Sequence, residues 1–118
     1  MPSRKQHRTA AARRLRAYRH TVDAYPDWAS TMLFYSALHL LESAFDASGI
    51  HNRTHSEREF FIKANHPQVW PAYHRLQSES MKARYLEGGA FSMNPKGVRA
   101  ELRRQKWKAI RAYVATLL

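Results

Sequence analysis

Apolar positions along this chain recur every three to four residues, the period of helices, and nowhere alternate as in a half-buried strand. The clearest run is Asp27–Ala47. Phe34, Leu38, Leu41 and Phe45 fall on one face, with Leu33, Ala37, Leu40 and Ala44 beside them, which predicts an internal helix of a bundle. Pro26 suits its start, Asp27 is placed to cap it, and Ser48-Gly49 suits its exit. A second stripe of Trp28, Met32, Tyr35, His39, Glu42 and Asp46 runs alongside, and His39 and Glu42 are close enough to touch.

The same period predicts four more helices. One runs from a Thr9 cap to about Tyr25, with Ala11, Leu15, Tyr18, Val22 and Tyr25 on one face. After a loop over 48–54, a short helix spans about His55–Asn65, with Phe60 and Phe61 turned inward, and His66-Pro67 ends it. A fourth covers about Val69–Leu86 with Trp70, Tyr73, Leu76 and Met81 as core candidates. The last covers about Lys96–Leu118, with Trp107, Ile110, Val114 and Leu117 inside. The expectation is an all-α bundle of four to five helices over residues 9–118, preceded by a flexible basic tail, residues 1–8. At 118 residues there is room for one domain with one core.

Charge is uneven. Of the net +11, residues 1–22 contribute seven Lys or Arg and no acid, and residues 88–118 contribute seven against Glu101. Residues 23–87 hold eight acids against six bases. If the terminal helices pack side by side, Arg13, Arg16, Arg99, Arg103, Arg104 and Lys108 make one basic face suited to nucleic acid, or to an acidic protein. The absence of cysteine excludes disulfides, thiolate zinc sites and thiol nucleophiles, and fits a cytoplasmic location. No apolar run approaches the roughly 20 residues of a membrane span, so no membrane partner is expected.

Candidate chemistry lies in the middle of the chain. His39, Glu42, His55, Arg58, Arg84 and Tyr85 include the residue types that metal-free RNA cleavage needs: a base, an acid and a cation for the phosphate. The same residues also read as a buried polar network, with Glu42 orienting His39 and with Arg58 and Arg84 paired to Glu42 or Asp46. His51 and His55 have no evident third ligand, so no metal is expected, and no phosphate-binding loop or other cofactor motif is present.

Several segments carry a family resemblance. Asp27-Trp28, then Leu33-Phe34-Tyr35-Ser36-Ala37-Leu38-His39 and Glu42, are followed by Gly49-Ile50-His51, His55 and Glu57-Arg58. Tyr73-His74-Arg75-Leu76 and Ser80-Met81-Lys82-Ala83-Arg84-Tyr85 come after them. In that order they resemble small bacterial HEPN-like proteins over about residues 22–87. The resemblance implies a helical bundle, a homodimer, and an RNA-directed role that in active members is metal-independent ribonuclease activity in toxin–antitoxin or antiphage systems. Non-catalytic members act as binding modules, here an antitoxin or adaptor subunit. Active members carry Arg, four to six residues, then His in a late helix. The last helix here has no histidine, and only Arg13 or Arg14 with His20 has that spacing.

Overall fold

A capping box starts the first helix. The Ser3 hydroxyl accepts the Gln6 N–H at 3.2 Å, and the Gln6 side-chain oxygen accepts the Ser3 N–H at 2.7 Å. In the computed structural model, which describes residues 2–118, α1 is therefore Arg4–Thr21. Residues 4–8, expected in a flexible tail, are its first turns, and the predicted Thr9 start is corrected to Arg4. Tyr25, expected on the inner face of this helix, lies beyond its end and is exposed.

Helix α2 is Pro26–Ala47, its cap residue Tyr25 rather than Asp27. Asp27 instead lies in the first turn, where a carboxylate suits the positive end of the helix dipole. Gly49 leaves the helix with φ +78°, a conformation that costs glycine little. Helix α3, His55–Asn65, has the predicted bounds, fixed by Thr54 accepting the Glu57 N–H at 3.1 Å. Helix α4 is Trp70–Tyr85.

The last helix, α5, is continuous from Pro95 to Leu117 but changes pitch. Pro95–Gly97 is α-helical behind an Asn94 cap, Val98–Trp107 is π-helical, and Lys108–Leu117 is α-helical again. Its apolar spacing accounts for the wide stretch. The buried residues Val98, Leu102, Trp107, Ile110 and Val114 lie four, five, three and four apart. Five residues of α-helix turn about 140° away from the stripe, and a π-helical stretch absorbs the extra residue.

Among the described residues these five helices form an all-α bundle without strands. Helix α2 is its axis: α1, α4 and α5 all pack on it, and Leu33, Phe34, Ala37 and Leu41 are fully buried. Helix α3 joins through Ile62, which is fully buried, and through Phe61, edge-on to Phe45 at 4.8 Å. Phe60, expected inward, is 76% exposed, because Ile62 takes the inward position. Leu117 is 39% exposed, and Trp70 and Met81 are only partly buried. No helix among the described residues is long and apolar enough to cross a membrane.

Candidate functional site

The polar stripe of α2 is held by partners from every side. Glu42 is buried, and its Oε1 accepts from Arg58 Nε at 2.5 Å and from Asn52 Nδ2 at 3.4 Å. Arg58, buried on α3, also donates from Nη1 to His55 Nδ1 at 3.2 Å. Since a guanidinium only donates, His55 Nδ1 accepts and its proton sits on Nε2. Burial and the charges of Arg58 and Arg84 push the His55 pKa below 6.5. Beside them the Tyr73 hydroxyl is buried, and burial raises its pKa to about 12 against the opposing influence of Arg58.

His39 does not bond to Glu42, contrary to the expectation. Its Nδ1 meets Nδ1 of His7 at 3.0 Å, bridging α2 to the first turns of α1. Burial, then the nearby His7, Arg14 and Arg58, lower the His39 pKa to about 4, and burial lowers that of His7. His7 and His39 share a cleft of about 190 Å³ with Glu42, His51, Asn52 and Arg58. Asp46 is taken by His51 at 3.2 Å.

Arg84 is also placed differently from the expectation, since it reaches neither Glu42 nor Asp46. It donates to the Tyr35 hydroxyl at 2.7 Å, to Ser80 at 3.1 Å and to the Tyr85 hydroxyl at 3.4 Å, lying against both tyrosine rings. A cleft of about 110 Å³ brings Arg84 and His55 together with Phe34, Glu59, Gln77 and Met81. Neither cleft approaches the roughly 300 Å³ of a typical ligand pocket.

The six candidate catalytic residues thus divide into three structural units: His39 with His7, Glu42 with Arg58 and His55, and Arg84 with Tyr35 and Tyr85. Acid–base cleavage of RNA requires a neutral base for the 2′-hydroxyl as well as a group that gives up a proton near neutral pH. His7, His39 and His55 are all biased to the neutral form, and the Arg58 charge is matched by Glu42. Among the described residues no three His, Asp or Glu side chains converge as metal ligands would.

The basic face has a different character. Tyr18, buried on α1, lies in the field of Arg103, Arg99 and Arg104 of α5 and of Arg19 of α1. Charges from both terminal helices thus act on Tyr18, although each of these helices packs mainly on α2 rather than on the other. Arg103 and Arg111 stand over the Trp107 ring at 4.3 and 5.7 Å. Arg99 bonds to Asp23 at 2.5 Å. Among the described residues no carboxylate reaches Arg19, Arg103, Arg104 or Arg111 within ion-pair distance. Arg13 and Arg16 are exposed along α1, where Arg13 lines a shallow groove with Lys5 and Arg14, and Lys108 is exposed on α5. None of these three joins the Tyr18 group.

Sequence reasoning did not select His7, whose Ser3-x-x-Gln6 start is a legible capping signal, or Arg19 and Arg111, which ordinary helical spacing hides among other exposed arginines. Comparison with family models, with curated proteins and with solved structures finds no match to this chain.

Proposed function

We propose that the chain is a HEPN-like, RNA-directed nucleic-acid-binding protein that works through the arginines of α1 and α5. The observation that carries this reading is the set of arginines on α1 and α5, of which, among the described residues, only Arg99 meets a carboxylate. Uncompensated cations concentrated on two helices are the electrostatic footprint of polyanion binding. The preference for RNA rests on the motif order of residues 22–87 and its resemblance to HEPN-like proteins. The polar cluster of α2 and α3 serves this reading as a brace, because its buried charges are matched.

The test is binding of single-stranded RNA, duplex RNA and duplex DNA across a salt series, with a cleavage assay in EDTA alongside. Affinity should fall steeply with salt, with a logarithmic slope of about −3 to −4 for four to five phosphate contacts. The RNA should remain intact. Failure to bind any nucleic acid at low salt would remove the reading. EDTA-resistant cleavage lost in His39→Ala or His55→Ala, at unchanged melting temperature, would make the protein an enzyme instead.

A further inference from the structure

Of the two arginines over the Trp107 ring, Arg103 is the nearer and the less exposed. Its guanidinium packs over Trp107 at 4.3 Å and is partly withdrawn from water. Burial and the like charges of Arg19, Arg111 and Arg104 disfavour its charge, the Tyr18 hydroxyl acts the other way, and no carboxylate is within ion-pair distance. A cation that is partly desolvated, crowded by like charge and unpaired gains more from an arriving anion than a freely solvated one.

Its platform is rigid. Trp107 is 3% exposed, too buried for a nucleobase to stack on. Trp107 Nε1 donates to Ser36 Oγ at 3.0 Å, and that hydroxyl donates to the Ala11 carbonyl at 2.8 Å. The indole is thereby tied to α2 and, through Ser36, to α1. A guanidinium held against such a surface has less rotamer freedom to lose, so a two-pronged contact to phosphate costs it less entropy.

We infer that Arg103 is the phosphate anchor of this face, gripping one RNA phosphodiester through two parallel N–H donors. Trp107 is its positioning residue, while Arg104 and Arg16 contribute only diffuse charge. This rests on the nucleic-acid reading above.

Lysine substitution separates an anchor from diffuse charge, since it keeps the charge and removes the planar fork. Arg103→Lys should weaken binding of a single-stranded RNA oligonucleotide by about tenfold, with the salt slope and melting temperature unchanged. Arg104→Lys and Arg16→Lys should change it by less than about twofold. In a Trp107→Leu background, measured below its melting temperature, Arg103→Lys should add almost nothing. Equal losses for Arg103→Lys and Arg104→Lys would overturn the anchor and leave the nucleic-acid reading standing. Absence of wild-type binding would overturn both.

Discussion

His7 and His39 meet Nδ1 to Nδ1 at 3.0 Å, joining the start of α1 to the middle of α2. One ring must donate and the other accept, so the bond exists only while at least one is neutral. Burial supports this by lowering both pKa values, that of His39 to about 4.

Stability should therefore depend on pH in a defined direction. With a folded pKa near 4 and an ordinary value of 6.5, His39 binds protons more readily in the unfolded chain across that interval. Its contribution is fully present above about pH 6.5 and is lost as pH falls towards 4. The loss should be on the order of 1–2 kcal/mol, because solvent reaches part of the ring and screens it. His55 and His66, also lowered, act in the same direction. His7→Ala should cost about 1–3 kcal/mol at pH 7 by leaving His39 without its partner, and should flatten part of the acid slope. Denaturant unfolding at pH 7 and pH 4.5 checks both. A wild-type stability equal at the two pH values would refute the assignment.

Glu42 and Arg58 form the most buried ion pair of the site, side chains 4% and 9% exposed. Such a pair contributes little over a well-packed apolar replacement, yet breaking it strands a charge in the interior. Glu42→Ala should cost about 3–5 kcal/mol, as should Arg58→Ala, whereas Glu42→Leu with Arg58→Met should recover most of the loss. The double variant should bind nucleic acid as the wild type does. Loss of binding in that variant, at wild-type stability, would mean the cluster reaches the ligand.

The extent to which the fold was legible follows from how local each cause is. The bounds of α3 were readable because Thr54 and His66-Pro67 act within one turn of its ends. The apolar face of α2 was readable because it repeats for six turns. Phe60 was misplaced because Phe60-Phe61-Ile62 offers three adjacent apolar side chains, and a short helix can bury only part of them. The partners of His39 and Trp107 lie 32 and 71 residues away, and no local period encodes them. The His39–Glu42 pair failed for a related reason. Helical spacing makes contact feasible, but Arg58 and His7 offer each residue a better partner. Sequence spacing thus brings these polar residues into reach of one another but does not say which of them bond.

The one-residue phase slip in α5 gives the last prediction. Leu102 and Trp107 are five apart and both buried, and the π-helical turns between them carry the surplus residue, as Lys108 N–H reaching back to the Arg103 carbonyl illustrates. Deleting exposed Gln105 brings Leu102 and Trp107 to a spacing of four, which an ordinary α-helix satisfies. That variant should unfold cooperatively, within about 1 kcal/mol of the wild type or above it, because π turns have no stability advantage over α turns. Deleting exposed Ala109 instead moves Ile110 to two residues after Trp107. If the π stretch persists, Ile110 and Val114 rotate off the core. If it reverts to α, they regain phase with Leu102 and Trp107 is expelled. Either way a large apolar surface is exposed, at about 3 kcal/mol or more. Thermal unfolding by circular dichroism, with tryptophan fluorescence reporting burial of the indole, distinguishes the two variants. Equal damage from both deletions would show that the wide turns do not serve to keep the apolar stripe in phase.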